Sequence, residues 1–397
     1  MQKETGMKND SSSDKQQKTV TTRKKTTKAA TEFGEKQLYA MTAVGGGGSG
    51  RPTIGLDLGD RSSRWCALGA DGEVIGRGEV ESERQELERF FGRIPKSLVA
   101  LEVGSHSPWI SRLLEKLGHE VVVANVRRVK LISESSRKND DVDAELLARL
   151  VRADRQLLSP VKHRGEEAQA DLMAVRVRAQ LVELRTQAAS AARGLVKPFG
   201  QRLPSCDADS LSKAHAGHLN AAIRGHAERL LGVVEELTKQ IEACDKELER
   251  IAKERYDKET TQLRQVPGVG PITALTFVLT LDDAGRFAKS RDVGCFLGLR
   301  PRSRQSGASE PEMRISKEGD GYLRTLLVQC AQYILSRRGP DSDLKRWGLL
   351  IAAKGKKKAK KRAVVAVARK LAVLLHRLWV SGEEYERRRS SAMKVAA

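Results

Sequence analysis

Four acidic residues in the first part of the chain are spaced so that they could share one metal ion: Asp57, Glu102, Asp140 and Asp143. Asp57 and Glu102 each end a short apolar run that is typical of a buried strand. Asp140 and Asp143 lie three residues apart at the start of a predicted helix, which places both on one face. Carboxylate oxygens are the ligands that Mg²⁺ or Mn²⁺ prefers. The pattern therefore predicts a divalent metal site.

Capping is the plainer explanation for the helical pair taken alone. An acid at a helix N-terminus often does no more than cap the helix, and an acid one turn later is often solvated. Joined to the two strand-end acids, in an order that lets all four meet, the metal site is the stronger interpretation.

The composition indicates a polyanionic partner. The chain of 397 residues carries 72 Lys and Arg against 51 Asp and Glu, a formal net charge of +21 at pH 7. Such a surplus favours binding to nucleic acid or to an anionic membrane surface. No membrane-spanning run and no signal peptide are found. Five scattered cysteines without CxxC spacing are typical of reduced thiols, so we expect a cytoplasmic protein that associates with the nucleoid when bound to DNA. Metal-bound carboxylates on such a chain predict chemistry on a phosphodiester.

Strand and helix patterns alternate from residue 53 to about 155 and supply the frame for the acids. The predicted strands are Ile54–Leu58, Trp65–Leu68, Glu73–Gly78, Leu98–Glu102 and Glu120–Ala124, with a hairpin turn at Asp71-Gly72. Helices are predicted near Arg84–Phe91 and Trp109–Leu117, and a third carries Asp140 and Asp143. Functional groups gather at the carboxyl ends of parallel strands, where Asp57 and Glu102 lie.

The middle of the chain, from residue 166 to about 256, is predicted to be helical and carries a heptad pattern. Apolar side chains recur at alternating steps of four and three, at Leu230, Val234, Leu237, Ile241, Cys244, Leu248 and Ile251. Such a stripe is typical of a coiled coil. An intramolecular helical hairpin and a dimerising coil both remain open as interpretations.

A glycine-bounded hairpin, Val266–Pro271, lies between two helical patterns farther along the chain. Turns of this kind expose backbone N–H groups that can bind a DNA phosphate, here around Gly268 and Gly270. An ordinary tight turn is the alternative interpretation.

A serine followed by glycine, Ser306, lies in an arginine-rich segment. Guanidinium groups can stabilise the charge that builds on a phosphoryl group during attack by a hydroxyl. By composition alone Ser303 and Ser309 are equally good candidates, and a Ser-Gly pair is more often a turn than a nucleophile. The basic side chains of this region that we predict to contact nucleic acid are Arg300, Arg302, Arg304, Lys317 and Arg324.

A basic segment, 354–370, carries nine Lys or Arg residues and no acid, and it runs into an apolar helical pattern from Val364 to Trp379. A basic run is often only a solvated tail, but one that leads into an amphipathic helix favours a phosphate-contacting arm. The lysines predicted to make these contacts are Lys356, Lys357, Lys358, Lys360 and Lys361.

The order of these motifs resembles the DEDD transposases of bacterial insertion sequences, a family of recombinases guided by a bridge RNA. The similarity covers residues 53 to about 385. The first part resembles the family's RuvC-like domain, with Ile-Gly-Leu-Asp-Leu-Gly, then Leu-Glu, then Lys-Asn-Asp-x-x-Asp-Ala. The second part resembles its transposase domain, with Pro-Gly-Val-Gly-Pro-x-Thr-Ala, then Gly-Leu-x-Pro and Ser-Gly, then Ile-Ser-Lys-x-Gly and Leu-Arg.

The resemblance implies roles for particular residues and partners. Asp57, Glu102, Asp140 and Asp143 would bind the metal, and Ser306 would form a covalent phosphoserine link to DNA. The implied partners are donor and target DNA and a guide RNA, without a membrane. The family further implies a homo-oligomer, a dimer or tetramer, in which the metal-bearing domain of one subunit meets the serine domain of another.

Three other functions are compatible with parts of the pattern. A RuvC-like endonuclease that hydrolyses DNA junctions needs the four acids but no serine. An actin-like ATPase would use Ile54–Gly59 as a phosphate-binding hairpin, although the sequence has neither a second such loop nor a Walker motif. A non-catalytic nucleic-acid-binding scaffold accounts for the charge but leaves the acids unexplained.

The predicted architecture combines an RNase H-like mixed α/β sheet domain with a helical coiled-coil middle and a mostly helical transposase domain. The predicted boundaries are 1–52 for a flexible basic tail with a glycine-rich linker, 53–160 for the RuvC-like domain, 161–260 for the coiled-coil region, 261–385 for the transposase domain and 386–397 for a terminal tail. The metal-binding acids and the serine thus fall in different predicted domains.

Overall fold

The structure is a computed structural model that describes residues 51–125, 140–302, 313–355 and 357–388. The chain divides into two units between His163 and Arg164. The predicted division into five segments stays a prediction, and nearly all of its first segment and most of its last lie outside the described residues.

A mixed sheet of five strands forms the centre of the first unit, in the spatial order β3-β2-β1-β4-β5. The strands are β1 (Thr53–Asp57), β2 (Ser62–Leu68), β3 (Val74–Glu81), β4 (Leu98–Glu102) and β5 (Glu120–Ala124). β1, β4 and β5 run parallel to one another, whereas β2 is antiparallel to both of its neighbours. The parallel strands bring Asp57 and Glu102 to the same edge of the sheet.

Helices cover both faces of this sheet. They are α1 (Arg84–Arg93), α2 (Ser107–Lys116) and α3 (Asp140–Ala153). Phe91 of α1 and Ile110 of α2 pack with Leu56 on one face, and Leu147 of α3 packs with Leu98 on the other. Because strand side chains alternate between the faces, each apolar run packs against helices on both sides of the sheet. This arrangement confirms the predicted RNase H-like α/β class.

The β2–β3 hairpin is longer than its apolar pattern predicted. β2 begins at Ser62 and β3 ends at Glu81 because these two residues pair across the hairpin. Backbone pairing thus extends beyond the apolar side chains that mark a strand in the sequence. The predicted turn is confirmed, since Gly72 has a φ of +88° and the Asp71 carboxylate accepts a hydrogen bond from the N–H of Glu73 (3.0 Å).

Two long helices begin the second unit and pack against each other. They are α4 (Glu166–Leu195) and α5 (Ala221–Arg255). The helices run antiparallel, because Asp171 of α4 pairs with Arg255 of α5 (2.8 Å) and Arg178 pairs with Asp245 (2.5 Å). Several heptad positions are buried within the chain, namely Val234, Ile241, Leu248 and Ile251. The intramolecular hairpin is therefore formed, and an additional dimerising coil stays a prediction.

Six further α-helices follow in the described part of the second unit. They are α6 (Asp257–Arg264), α7 (Pro271–Leu281), α8 (Arg291–Phe296), α9 (Gly321–Leu335), α10 (Asp343–Ala353) and α11 (Lys357–Ser381). Their shared core includes Phe277 of α7, Leu327 of α9 and Leu371 of α11, all fully buried. Across the described ranges, no helix is both long and apolar enough to cross a membrane.

Candidate active site

Gly55, in the middle of β1, lets α3 lie directly on the sheet. A Cβ atom on Gly55 would overlap the carbonyl oxygen of Ala144 and lie 2.7 Å from the backbone nitrogen of Ala148. A glycine inside a strand is typical of such a close backbone approach. The contact brings the first turn of α3, which carries Asp140 and Asp143, beside the end of β1.

Asp57 and Glu102 are level with each other at the ends of neighbouring parallel strands. The register pairs Leu56 of β1 with Leu101 of β4, and each acid is the next residue. Because side chains alternate along a strand, Asp57 shares a face with Gly55, which is the face that α3 covers. Paired residues of adjacent strands point the same way, so Glu102 belongs to this face as well.

Three of the acids act electrostatically on the fourth, Asp57. The pKa of Asp57 is raised to about 6, first by burial and then by repulsion from Glu102, Asp140 and Asp143. A hydrogen bond with the backbone of Leu58 lowers this pKa in part. Repulsion of this kind requires that the charges lie near one another. The structure thus brings together the four acids that the sequence spacing singled out.

A divalent cation fits the chemistry of this acid group. All four side chains offer carboxylate oxygens, the donors that Mg²⁺ and Mn²⁺ prefer, and a cation would offset the repulsion that raises the pKa of Asp57. Within the described ranges, no three Asp, Glu, His or Cys side chains already form a metal-binding cluster. The role of the four acids as metal ligands therefore stays a prediction.

A second polar group lies just beyond the ends of β1 and β4. His106 Nε2 is 3.2 Å from Asp60 Oδ1, and the indole N–H of Trp109 donates to His106 Nδ1 (3.2 Å). The Arg84 guanidinium lies over the Trp109 ring at 5.5 Å. The indole contact fixes the tautomer of His106, with the proton on Nε2 towards Asp60. Motif spacing did not identify this group. The sequence feature that could have indicated it is the position of Asp60 and His106 shortly after the ends of two strands.

The glycine-bounded hairpin lies between α6 and α7. Gly268 has a φ of +93°, and a Cβ atom there would lie 2.7 Å from the ring of Tyr333. Gly270 directly precedes Pro271, the first residue of α7. A Cβ atom on Gly270 would have no described atom within 4 Å apart from those of the adjacent residues. An open helix N-terminus suits an anion. Phosphate binding by this hairpin stays a prediction.

The predicted nucleophile falls outside the described residues. Ser306 lies there together with Ser303, Arg304 and Ser309. The chain on either side is described as two arms, 298–302 and 313–317, which pair in antiparallel fashion at Pro301 and Ile315. We call these two arms the stem. The two described arms therefore lie side by side where they end.

The predicted nucleic-acid contacts around the stem are of two kinds. The exposed side chains are those of Arg300, Arg302 and Lys317. Arg324 differs, because its Nη1 donates to the backbone carbonyls of Leu297 and Glu318, at 2.9 Å in each case. Arg302 Nη2 also donates to the carbonyl oxygen of Ser316 (3.4 Å), but the Arg302 side chain is exposed, whereas that of Arg324 is half-buried.

The basic segment 354–370, which we call the basic arm, includes the first turns of α11. Lys358, Lys360 and Lys361 are exposed in the first turns of this helix, Lys357 is its first residue, and Lys356 lies outside the described residues. Later turns of the same helix are buried in the core of the second unit, at Val367, Leu371 and Leu375 among others. The lysines are therefore presented by a helix whose far end is anchored.

The fold and the site together define a class of protein. A mixed sheet covered by helices on both faces, with acids gathered at the end of its first strand, is typical of RNase H-like enzymes that act on nucleic acids. Comparison with known families narrows this class. Residues 54–199 match the DEDD transposase model of IS110-type elements, and residues 260–345 match the model described as the transposase IS116/IS110/IS902 family.

Curated relatives extend these matches along the chain. A protein named putative transposase y4pF/y4sB from Sinorhizobium fredii is 31% identical over 349 residues, which cover 85% of this chain and 87% of the relative. The transposase for insertion sequence element IS1328 from Yersinia enterocolitica is 32% identical over 72% of this chain and 84% of its own length. The transposase for element IS1111A from Coxiella burnetii is 28% identical over 84% and 90%. The chain belongs to the IS110/IS116/IS902 family of insertion-sequence transposases.

Proposed function

We propose that this transposase cuts and rejoins DNA through a covalent serine–DNA intermediate. In this proposal Ser306 is the nucleophile, and Asp57, Glu102, Asp140 and Asp143 hold Mg²⁺ or Mn²⁺. The observation that carries the metal-binding half is the pKa of Asp57, which burial and three neighbouring acids raise to about 6. Repelling carboxylates at a strand end cost stability, and perturbed groups of this kind are typical of functional sites.

The proposed chemistry exchanges one phosphoester bond for another. Ser306 Oγ attacks the phosphorus atom and releases its proton to water, while the bond from phosphorus to a deoxyribose oxygen breaks and that oxygen gains a proton. The exposed Arg300 and Arg302 are close along the chain and would neutralise charge on the non-bridging oxygens. A divalent cation, when bound, supplies further charge neutralisation at the phosphate. A deoxyribose hydroxyl then attacks the phosphoserine and loses its proton, the bond from phosphorus to Ser306 Oγ breaks, and Oγ regains a proton, which rejoins the strands.

We further propose that donor DNA, target DNA and a guide RNA bind to a homo-oligomer, a dimer or a tetramer. The formal net charge of +21 supports polyanionic partners. The exposed Lys358, Lys360 and Lys361 offer phosphate contacts that carry no base specificity. Pairing with a guide RNA would supply sequence selection that such contacts cannot provide.

A denaturing gel tests the serine and the acids together. Purified protein is incubated with Mg²⁺, labelled DNA carrying the element's ends, and the flanking transcript. We expect the parent chain to form a covalent protein–DNA adduct, and we expect Ser306→Ala and Asp57→Ala each to abolish it. Asp141→Ala is the matched control, since Asp141 lies between the helical acids and pairs with Arg64 at 3.8 Å.

The same gel separates the alternatives. Cleaved DNA without an adduct, which survives Ser306→Ala but not Asp57→Ala, would replace the serine recombinase with a metal-dependent endonuclease. Binding without cleavage, unaffected by either substitution, would leave a nucleic-acid-binding scaffold.

A further inference from the structure

The base of the serine-bearing segment is tightly built. Backbone hydrogen bonds join the two arms of the stem, from Arg302 N to Arg314 O (2.9 Å), from Ser316 N to Arg300 O (2.9 Å) and from Lys317 N to Gly298 O (3.1 Å). Lys317 adopts a φ of +59°, which non-glycine residues rarely do. A backbone held in this region depends on its surroundings to keep it there.

Two glycines allow the arms to cross without room for side chains. Gly298 has a φ of +65°, and a Cβ atom on it would overlap the backbone of Glu318. Gly319 has a φ of +73°, and a Cβ atom on it would overlap the carbonyl oxygen of Phe296. The end of α8 and the residues that precede α9 are thus in backbone contact. This crossing sets the direction in which both arms leave.

Arg324, in the first turn of α9, ties the crossing together. Its Nη1 donates to the carbonyl oxygens of Leu297 and Glu318, each at 2.9 Å. Leu297 directly precedes the entering arm, and Glu318 directly follows the leaving arm. One guanidinium group therefore bridges both ends of the stem, and the rigid, planar arrangement of its donors makes this bridge directional.

The helix that carries Arg324 is itself anchored. Asp320 caps α9 by accepting a hydrogen bond from the N–H of Leu323 (2.7 Å), and its carboxylate also pairs with Arg176 of α4. The Arg176 guanidinium lies over the ring of Tyr322 at 5.4 Å. The first turn of α9 is thus fixed to the long helical hairpin, which makes it a firm support for the stem.

We propose that Arg324 is a positioning residue, which holds together the two described arms on either side of Ser306, and that the rate of adduct formation depends on this hold. The sequence pattern predicted a phosphate contact for Arg324, whereas its contacts with two carbonyls give it a role in the backbone of the stem. The catalytic consequence rests on the proposed role of Ser306, but the bridge between the arms does not.

The substitution Arg324→Lys distinguishes a phosphate contact from the bridge between the arms. Arg324→Lys keeps the positive charge that a phosphate contact needs but offers a single nitrogen in place of the guanidinium fork. We expect the stem to loosen while DNA affinity changes by less than about threefold. A displacement of a nucleophile by about 1 Å can slow the reaction by about a hundredfold, so we expect adduct formation to slow by about tenfold to a hundredfold.

The experiment compares full-length Arg324→Lys, Arg324→Gln and, as the matched control, Arg314→Lys, whose side chain is exposed on the same stem. Single-turnover adduct formation at saturating labelled element-end DNA gives the rate, and a titration of that DNA gives the affinity. Hydrogen exchange of the amides of Arg302, Ser316 and Lys317 reports on the stem itself. Thermal unfolding checks that each variant is folded.

Two results support the proposal when they occur together, namely faster exchange in the stem and slower adduct formation at unchanged affinity in Arg324→Lys, with neither in Arg314→Lys. Unchanged exchange in Arg324→Lys would overturn the bridge. Faster exchange with an unchanged rate would overturn the positioning role. If Ser306→Ala still forms the adduct, the proposed nucleophile is wrong, and the exchange data still decide whether Arg324 bridges the stem.

Discussion

The backbone of Gly55 lies against the backbone of Ala144, with no space for a side chain between β1 and α3. This contact determines how near the first turn of α3 comes to the end of β1, and hence how near Asp140 and Asp143 come to Asp57. Burial raises the pKa of Asp57 to about 6 together with repulsion from neighbouring acids, and the repulsion from Asp140 and Asp143 is a direct consequence of this packing. A small residue in a strand thereby controls the spacing of the acid group.

Gly55→Ala is expected to displace α3 and to weaken both the fold and the activity. Overpacking of a well-filled site costs about 1–3 kcal/mol, and the upper end applies because the obstructing atoms of Ala144 and Ala148 are backbone. Thermal unfolding and adduct formation measure the two effects. Gly92→Ala in α1 is the control, because no described atom beyond its neighbours lies within 4 Å of the added carbon and helix propensity favours alanine by about 1 kcal/mol. Equal stability of the two variants would contradict the close contact.

Asp57→Asn is expected to stabilise the protein in the absence of divalent cations while it abolishes activity. The pKa of Asp57 is 3.8 when unperturbed and about 6 in the folded chain, so the folded state holds this proton more tightly than the unfolded state. Stability therefore falls as the pH rises from about 4 to about 6 and stays lower above that range. Removing the charge should restore roughly 1–2 kcal/mol, after allowance for the screening of a half-buried group, or a few degrees in Tm.

In the presence of Mg²⁺, the parent chain should be more stable than Asp57→Asn. A cation held by the acid group stabilises the parent chain, by about 2.7 kcal/mol at a hundred times its Kd, and should do little for Asp57→Asn. Unfolding curves in EDTA and in Mg²⁺, at pH 5 and pH 8, give the comparison. Asp141→Asn should keep the full response to Mg²⁺, because Asp141 pairs with Arg64 and is not among the charges that shift the pKa of Asp57. The same Mg²⁺ response in all three proteins would argue against the metal site.

His119 is expected to make the first unit less stable at low pH. Its buried ring accepts a hydrogen bond from the N–H of Ser97 (3.2 Å) and donates to the carbonyl of Phe91 (2.9 Å), which requires the neutral form. Burial lowers the pKa of His119 below its ordinary 6.5. The unfolded state then binds more protons, so stability falls as the pH drops below about 6.5 and levels off below the folded-state pKa.

Thermal unfolding between pH 5 and pH 8 tests the effect of His119. His119→Phe should lower stability at pH 8 by about 1–3 kcal/mol, because two buried polar groups lose a partner, and should flatten the pH dependence. His226→Phe on the exposed side of α5 should change neither property. A parent chain whose Tm is constant between pH 5 and pH 7 would contradict the prediction.

Neutralising the basic arm is expected to weaken nucleic-acid binding in a salt-dependent way. The variant carries Lys358→Gln, Lys360→Gln and Lys361→Gln. Each lost phosphate contact lowers the slope of log K against log salt by about 0.9, so the slope should fall by about one to three. Replacing the exposed Lys239, Lys246 and Lys253 of α5 removes the same charge elsewhere and controls for net charge. An unchanged slope in the arm variant would remove the arm from the interface.

The parts of the structure that follow from local pattern could be predicted well. All five strands and the first three helices were expected, because strand and helix periodicities are properties of neighbouring residues. The β2–β3 hairpin was underestimated, since pairing between Ser62 and Glu81 depends on backbone bonds rather than on apolar side chains. The heptad pattern on α5 did not determine which helix packs against it, because such a pattern shows only that one face of a helix is covered.

The sequence by itself determined the types of group that are present, namely four acids at strand and helix ends, a serine among arginines, and an excess of positive charge. The tertiary structure decided how they are arranged. The register of β1 and β4 makes Asp57 and Glu102 neighbours. Because Gly55 has no side chain, α3 can pack beside them. Arg324 donates to two carbonyls that only folding brings to it, and its predicted phosphate contact stays a prediction. Contacts between residues far apart in the chain depend on packing and backbone geometry, which no local spacing encodes.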